Sequence, residues 1–553
     1  MRILINILCL SFSVTGAVYS QQIPRDWFFG DPSGDYYGIS LNKTYESFKF
    51  PQNGQTVIVA IIDSGIDYDH EDLSENMWVN PGEIAGNGKD DDNNGYIDDI
   101  HGWNFIGGQD GTNVGMDSYE AARVYGSLKY KYESADVNRL TKAQKKEYDN
   151  YIRAKQNIEK ETNSAKNKLA QIDNIESKVK EAFDIFEKKL GNDTLNKAWL
   201  DSLDTESDEK LTLAKNIVNQ YFTFGDDKNF LNIRKMVFDD INEDRKSYVN
   251  KLEYSFNPDF DPRKTIVKDN YNDVTERFYG NNNVEGPDAT HGTHVGGIVG
   301  AIRGNEVGGE GIASNVRLMS VRAVPDGDER DKDVANAIRY AVDNGASIIN
   351  MSFGKGFSTH KSIVDEAVKY AAKKDVLLVH AAGNSAQNND VIPNYPNANF
   401  EKKTGFIFKK QRRAKNWIEV GALNFKPAPD LAAPFSNYGK KEVDIFAPGV
   451  RVYAPIPNDN YAPLQGTSMA SPVVAGVAAV IRSNYPNLTA EQVKESIVKS
   501  VKPIDAEVYV PGSKTEKTKF SNLSASGGVI NMEAAMQYAS KMKGKKKMKK
   551  ARA

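Results

Sequence analysis

The chain is almost free of cysteine. Among its 553 residues only Cys9 is a cysteine, and it lies within the first twenty positions. If that segment is removed, the remaining chain can form no disulfide bond, no thiol nucleophile and no cysteine-ligated zinc site. Leu8 precedes Cys9 at a position where lipid attachment needs a small residue, so the sequence does not predict a lipoprotein.

Long apolar runs are also missing. Residues 3–14 are apolar but too short to cross a bilayer, and no later stretch reaches the ~20 apolar residues of a membrane helix. Arg2 before this run, and the small residues Val18 and Ser20 after it, are typical of an export signal. A buried N-terminal strand is the alternative. We expect a signal peptide at 1–20, export to the medium, periplasm or cell surface, and no transmembrane span.

A strong excess of positive charge is confined to one end of the chain. The formal net charge is −3, yet residues 541–553 carry seven lysines, one arginine and no acid. The rest of the chain is therefore more acidic than the whole, and an acidic body repels nucleic-acid phosphates. We expect no nucleic-acid partner. The basic tail at 541–553 is typical of a solvated disordered end, although its charge also suits an anionic surface.

Proline is absent between Ala121 and Asn250, and that stretch has only three glycines. Apolar residues there recur every three or four positions, which is one face of an amphipathic helix. These are Leu169, Ile172, Ile175, Val179, Phe183, Phe186 and Leu190. Shorter periodic runs follow at 211–221 and 230–241. We predict three or four antiparallel helices within a helical insertion spanning 108–285.

The rest of the chain alternates strand-like and helix-like segments. Helical patterns at 331–344 and 359–374 lie between apolar runs. The runs are 57–63, 316–324, 346–353, 375–382 and 418–423. This rhythm predicts an α/β fold, a doubly wound, mostly parallel sheet built from residues 21–107 and 286–540. Such sheets place their functional residues at the carboxyl ends of the strands.

Four polar residues stand at those predicted ends. Asp63 ends the strand VIVAIID, Asn384 ends DVLLVHAAGN, and His291 and Ser468 each open a helix rich in small residues. Each has a plain structural interpretation when taken alone: a turn Asp or Asn, a packed His, an N-cap Ser. We leave His294, one turn after His291, as a packing residue. Taken together, the presence of all four residues at the same predicted edge of the sheet favours a catalytic site.

The surrounding motifs resemble those of the subtilisin-like serine proteases. They are DSGIDYDHEDL (63–73), HGTHVGG (291–297), NMSFG (350–354), AAGN (381–384), FSNYG (435–439), APGV (447–450) and GTSMASP (466–472). The order Asp, His, Asn, Ser is that of the family, and the similarity covers most of 50–107 and 286–505. The match is specific because several long motifs recur in the correct order.

The resemblance implies a serine endopeptidase. Ser468 would attack the scissile carbonyl, His291 would act as general base, and Asp63 would orient the imidazole. Asn384 and the Ser468 backbone N–H would hold the oxyanion. An edge strand in the cleft would pair with extended substrate backbone; its residues are Ser352, Phe353 and Gly354. Polypeptides are the expected substrates.

The segment DDDNNGYIDDIH (90–101) has the spacing of a calcium loop. Its candidate ligands supply the oxygen atoms that a hard cation prefers, and they are Asp90, Asp92, Asn94, Tyr96 through its carbonyl, Asp98 and Asp99. His101 replaces the usual Glu at position 12, with Asp99 as a substitute. A solvated acidic turn is the alternative. The family resemblance implies a second structural Ca²⁺ held by Asp72 and Asn305.

The sequence departs from compact members of the family between Asp63 and His291, which are 228 positions apart. The helical insertion lies there and is expected either to contact a surface or partner or to be a tolerated loop domain. A catalytically idle, protease-like scaffold acting through the insertion is the alternative function. An esterase is disfavoured because GTSMAS is not the G-x-S-x-G motif. The charged run 326–333 borders the predicted cleft without indicating which charge would face it.

Overall fold

The computed structural model describes residues 23–32, 36–48, 50, 54–224, 229–404 and 411–544. Among the described residues two compact units are present: a helical unit within 121–260, and a sheet unit within 23–120 and 261–544. The helical unit is narrower than the predicted 108–285, because both flanks of that range group with the sheet unit. The predicted signal segment and the tail beyond Gly544 lie outside the described residues.

The described residues contain fifteen strands and twelve α-helices. The strands are β1 (Val57–Asp63), β2 (Gly102–Asn104), β3 (Val316–Arg322), β4 (Ile348–Met351), β5 (Leu377–Ala381), β6 (Asn399–Thr404), β7 (Gln411–Arg413), β8 (Trp417–Leu423), β9 (Ile445–Pro448), β10 (Val452–Ile456), β11 (Asn460–Leu464), β12 (Lys502–Pro503), β13 (Glu507–Tyr509), β14 (Lys517–Lys519) and β15 (Gly528–Val529). The helices are α1 (Leu41–Ser47), α2 (Glu120–Tyr132), α3 (Lys142–Leu190), α4 (Lys197–Ser202), α5 (Glu209–Phe224), α6 (Phe230–Asn250), α7 (Thr290–Gly300), α8 (Asp331–Asp343), α9 (Lys361–Lys373), α10 (Thr467–Asn484), α11 (Ala490–Lys499) and α12 (Met532–Ser540).

Nine strands form the central sheet of the sheet unit, in the order β12-β15-β9-β8-β5-β4-β1-β3-β2. The pairings from β15 to β2 are parallel, and only β12 runs antiparallel to its neighbour. Three two-stranded antiparallel sheets lie outside it. The predicted doubly wound, mostly parallel sheet is confirmed.

Strand β1 shows why helices cover both faces of this sheet. Successive side chains of a strand point to opposite faces. Val57, Val59 and Ile61 pack with apolar residues of α7 and α10, whereas Ala60 and Ile62 pack with those of α8 and α9. Burial on both faces explains the unbroken apolar composition of the strand. It also places the carboxyl end of β1, Asp63, at an edge between two helical layers.

The helical unit is built around α3, which runs for 49 residues. Its start is fixed by a capping box between Thr141 and Gln144, and it ends where Gly191 adopts a φ of 55°. The predicted apolar stripe is largely buried against α5 and α6. The helical pattern of the insertion is therefore confirmed, with the short helix α4 as an addition.

Within the described part of the chain, none of the helices combines the length and the apolar character needed to cross a bilayer.

Candidate active site

Asp63 is placed by the central position of β1. The strand pairs with β3 and β4 on its two sides, and the Asp63 side chain at its end is almost completely buried. Its Oδ1 accepts the Ser64 backbone N–H at 2.8 Å and lies 2.6 Å from His291 Nδ1. This carboxylate is thus held in one orientation, with the imidazole as its partner.

His291 lies in the first turn of α7, with 40% of its side chain exposed. Burial lowers the pKa of His291, but the charge and hydrogen bond of Asp63 outweigh burial, so the pKa is raised. The next residue, Gly292, explains how α7 can come so close to the loop after β1. A Cβ on Gly292 would lie 2.0 Å from the Gly65 carbonyl oxygen, so only glycine permits this approach.

Ser468 is the second residue of α10 and is partly exposed. Gly466 caps that helix with a φ of +154° and has no side chain to block the hydroxyl. Ser468 Oγ donates to the Ser352 carbonyl at 3.0 Å, and the Ser352 hydroxyl donates to the Ser468 carbonyl at 2.8 Å. The hydroxyl therefore sits at a helix N-terminus, where backbone N–H groups favour negative charge.

The side chain of Asn384 is oriented by a neighbour that the sequence did not single out. Asn384 Oδ1 accepts the Thr467 backbone N–H at 2.8 Å and its hydroxyl at 3.0 Å. Thr467 Oγ1 also accepts the Gly383 N–H at 3.1 Å. With the amide oxygen engaged, Asn384 presents its Nδ2 donor. Asn384 follows β5 and Ser468 lies on α10, so the two residues come close through the packing of these elements. No local motif reveals that packing.

Ser468 and Asn384 share one cleft with a volume of about 320 Å³, whereas Asp63 and His291 are not among the residues that line it. Ser468, Asn384, Phe353 and Gly354 line it, together with Val324, Gly327, Asp328, Glu329, Ala381, Gly383, Ser385 and Thr467. Residues 352–354 follow β4, and the next residue, Lys355, exchanges backbone hydrogen bonds with Tyr395. The structure thus brings the predicted nucleophile, oxyanion donor and edge segment together.

Two further buried residues support the site. Arg322, opposite Asp63 in the register of β3, donates from Nε to the Ser64 carbonyl at 2.8 Å. His294 is fully buried, its Nε2 is 2.9 Å from the Ala462 carbonyl oxygen, and burial lowers its pKa to about 4. A neutral, packed imidazole suits the structural role expected for His294.

The acidic loop brings three carboxylates together. Ligand atoms of Glu83, Asp90 and Asp92 all lie within 4.8 Å of one another. Asp90 and Asp92 belong to the predicted set, whereas Glu83 lies seven positions earlier, outside the loop template. The one feature of the sequence that could have indicated Glu83 is its nearness to the acidic run. A cluster of three carboxylates is the kind of site that a hard cation occupies.

Asp90 and Asp92 also accept backbone N–H groups of residues 94 and 95, and the other predicted loop ligands have protein partners too. Asp98 accepts backbone N–H groups of residues 87 and 88 at 3.2 and 2.8 Å. Asp99 is buried and accepts the Tyr340 hydroxyl at 2.6 Å. Asn94 Oδ1 accepts the Tyr96 N–H at 2.8 Å, and the ring of Tyr96 is buried. Asp98 and Asp99 therefore stabilise the loop through hydrogen bonds.

Asp72 and Asn305, the pair for which the resemblance implies a second Ca²⁺, are in contact with each other. Asn305 Nδ2 donates to Asp72 Oδ1 at 2.8 Å. Asp72 is fully buried, and its Oδ2 has no hydrogen-bond partner among the described residues. Burial raises the pKa of Asp72 to about 6. A buried carboxylate oxygen without a donor fits a cation at this position.

Comparison with known proteins gives consistent matches. The model of the subtilase family (peptidase S8) matches residues 54–528. A thermophilic serine proteinase of Bacillus sp. (strain AK1) is 40% identical over 198 residues, which are 36% of this chain and 43% of that protein. Subtilisin DY of Bacillus licheniformis is 34% identical over 250 residues, 45% of this chain and 77% of its own. Thermitase of Thermoactinomyces vulgaris is 34% identical over 226 residues, 40% of this chain and 72% of its own. The chain thus spans less than half of the first of these relatives.

Proposed function

Because the chain belongs to the subtilase family, we propose that it is a serine endopeptidase that hydrolyses peptide bonds through an acyl-enzyme on Ser468. The observation that carries the proposal is the 2.6 Å contact between Asp63 and His291 in a unit whose cleft is lined by Ser468 and Asn384. The relatives' names, which include a serine proteinase and a subtilisin, support the same chemistry.

In this mechanism Ser468 Oγ turns from the Ser352 carbonyl and attacks the scissile carbonyl carbon. His291 Nε2 takes the hydroxyl proton while Asp63 holds the Nδ1–H and stabilises the imidazolium. The imidazolium then protonates the leaving amine. Water attacks the acyl ester with His291 again as base, which releases the acid and restores Ser468.

Negative charge on the carbonyl oxygen would be stabilised by two donors. One is Asn384 Nδ2, whose amide is fixed by Thr467, and the other is the Ser468 backbone N–H. Donors held in place before the reaction stabilise the transition state without reorganisation. The segment Ser352–Phe353–Gly354 would pair with the extended substrate backbone, as an added strand does.

A fluorophosphonate probe tests this proposal. We expect the folded, calcium-loaded protein to be labelled and to cleave casein, and Ser468→Ala to lose both activities. Ser471→Ala is the matched control, because Ser471 lies on the same helix but its hydroxyl donates to Asn350 in the core. Absence of labelling in the folded wild-type protein would contradict the proposal and favour the catalytically idle scaffold.

We further propose structural calcium at two places, the cluster of Glu83, Asp90 and Asp92 and the pair Asp72 and Asn305. The convergent carboxylates and the buried oxygen of Asp72 support these sites. A cation that binds only the folded state stabilises it, by about 2.7 kcal/mol at a free concentration 100 times its Kd. Calcium would cross-link surface loops in a chain that has almost no cysteine.

Chelation provides the measurement. EDTA should lower the Tm of the wild-type protein by several degrees. The double variant Asp90→Asn/Asp92→Asn should have a lower Tm in calcium and a smaller response to EDTA, and Asp72→Asn should do the same for the second site. Asp430→Asn, an exposed acid outside both sites, is the control. An unchanged wild-type Tm after chelation counts against calcium.

Export is also part of the proposal. The positive charge, the apolar run and the small residues within 1–20 support a cleaved signal. N-terminal sequencing of the protein recovered outside the cytoplasm should begin close to Gln21.

A further inference from the structure

Two separate chain segments line the cleft beside Ser468. Residues 327–329 form what we call the first wall, and residues 353–354 form the second wall. The second wall belongs to the edge segment that would pair with substrate backbone. Its placement relative to the first wall therefore decides how well an extended peptide is held for reaction.

The first wall is joined through its backbone to residues 115–120, which we call the strap. The strap belongs to the sheet unit and directly precedes the helical unit in the chain. Asp326, the residue before the first wall, donates its N–H to the Gly115 carbonyl at 2.8 Å, and its own carbonyl accepts the Asp117 N–H at 3.0 Å. Met116 and Asp326 thereby form a parallel β-bridge.

Side chains reinforce the connection between the strap and the first wall. Asp117 and Arg330 are both buried and form a two-pronged ion pair, with distances of 2.8 and 2.9 Å. The Asp328 carboxylate of the first wall accepts the Glu120 backbone N–H at 2.8 Å. Because buried ion pairs of this kind are costly to break, the strap and the first wall are held together.

Glu120 joins the strap to the residue that follows the second wall, Lys355. The Glu120 side chain is buried; its Oε2 lies 3.3 Å from Lys355 Nζ, and its Oε1 accepts the Thr359 hydroxyl at 2.7 Å. Lys355 Nζ also donates to the Glu329 carbonyl of the first wall at 2.7 Å and lies 2.9 Å from Asp331. One buried ammonium group thus connects the strap with both walls.

We propose that the strap positions both walls of the cleft for extended peptide substrates, with Asp117, Glu120 and Lys355 as the positioning residues. The inference rests on the proposed peptidase function and adds how the site holds long substrates. A peptide that reaches along both walls would depend on the strap. A small ester that reacts at Ser468 without reaching along the walls would not.

Substrates of two lengths test this role. One is an internally quenched peptide built on a casein sequence that the protein cleaves, and the other is p-nitrophenyl butyrate. Glu120→Gln and Asp117→Asn keep the shapes of the side chains and remove their charges. In each variant we expect kcat/KM for the peptide to fall roughly tenfold, mainly through KM, and kcat/KM for the ester to change by less than about twofold, since a hydrogen bond to a charged group has about this effect.

Lys355→Met extends the test to the second wall. It should lower the peptide-to-ester ratio of kcat/KM at least as much as Glu120→Gln does. The double variant Glu120→Gln/Lys355→Met should lose less than the product of the two single effects, because the two residues share one contact.

A buried ion pair away from the cleft supplies the control. Asp333 pairs with Arg263 at 2.7 Å, and neither residue lines the cleft. Asp333→Asn should lower the Tm and leave the peptide-to-ester ratio unchanged. All rates are referred to the fraction of protein that a fluorophosphonate titrates, so that unfolded molecules do not contribute.

Hydrogen exchange of the wild-type protein tests the same role without a variant. A long peptide aldehyde that occupies both walls should slow exchange of the backbone amides in the strap. Reaction with a small fluorophosphonate should leave those amides at the rate of the free protein.

The outcomes separate the two proposals. If the peptide-to-ester ratio keeps its wild-type value in both Glu120→Gln and Asp117→Asn, or falls equally in Asp333→Asn, the positioning role is wrong and the peptidase function stands. Unchanged exchange of the strap with the long inhibitor bound leads to the same conclusion. If the wild-type protein cleaves no peptide and takes up no fluorophosphonate, both proposals are wrong.

Discussion

At the scale of single residues, the charge of Asp63 controls the protonation of His291. The carboxylate raises the pKa of His291 above the ordinary value even though burial acts in the other direction. A general base must be neutral to accept a proton. We therefore expect kcat/KM to fall as the pH drops through this raised pKa, which places the acid limb of the activity profile above that of an unperturbed histidine.

Replacing Asp63 by asparagine tests this coupling. Asp63→Asn removes the charge that favours the imidazolium, so the acid limb should move to lower pH. Because an amide no longer selects the reactive tautomer, kcat should also fall by about 10⁴. Profiles of kcat/KM from pH 5 to 10 measure both effects.

Asp288→Asn is the matched control for that experiment. Asp288 raises the pKa of His291 through space without a hydrogen bond to it. Its removal should shift the acid limb slightly and leave kcat nearly intact. Identical profiles for the two variants would contradict the role of Asp63.

The residues of the proposed triad were predictable because each lies in a long motif. Asp63, His291 and Ser468 also stand at a strand end or a helix start, which local patterns reveal. Thr467 and Glu83 were not predicted. The first acts by orienting another side chain, and the second joins the acidic cluster from outside the loop spacing. Both roles depend on contacts across the fold that no sequence period encodes.

At the scale of elements, the contact between α7 and the loop after β1 sets the site. A Cβ at position 292 would be 2.0 Å from the Gly65 oxygen and 3.2 Å from Asp63 Cβ. Gly292→Ala should therefore displace the helix, destabilise the protein by about 1–3 kcal/mol and reduce kcat strongly. Thermal unfolding and kinetics on one preparation measure both effects.

Gly296→Ala on the same helix is the control for this prediction. Its added Cβ would meet the Ile66 Cδ1 atom at 3.4 Å, an ordinary contact with a methyl group. Alanine also favours a helix relative to glycine. We expect wild-type stability and activity for Gly296→Ala. Equal losses in both variants would show that close approach at Gly292 is not the cause.

Elements with a strong apolar pattern were the easiest to predict. The stripe of α3 follows the helical period, and β1 appears as an unbroken apolar run because both of its faces are buried. The compact helical unit, residues 121–260, is shorter than the insertion predicted at 108–285. The segments 108–120 and 261–285 pack with the sheet unit, and they are held by ion pairs such as Arg330–Asp117 and Arg263–Asp333. Partners of this kind cannot be assigned from composition.

At the scale of the whole molecule, the helical unit has a hydrophobic core of its own. Buried residues of α3, α5 and α6 form one cluster within residues 121–260. Rings of Phe183 and Phe230 meet edge to face at 5.6 Å, and those of Phe186 and Phe230 stack at 5.0 Å. A unit of this size with its own core meets the usual conditions for independent folding.

Residues 121–260 expressed alone should therefore fold. We expect a helical circular dichroism spectrum and a single cooperative thermal transition. Phe183→Ala removes a fully buried ring and should cost about 3–5 kcal/mol. Leu231→Ala, at a side chain that is 60% exposed, should change the unfolding free energy by less than about 0.5 kcal/mol. A broad, non-cooperative transition in the isolated fragment would mean that its core depends on the sheet unit, and that the insertion is not an autonomous domain.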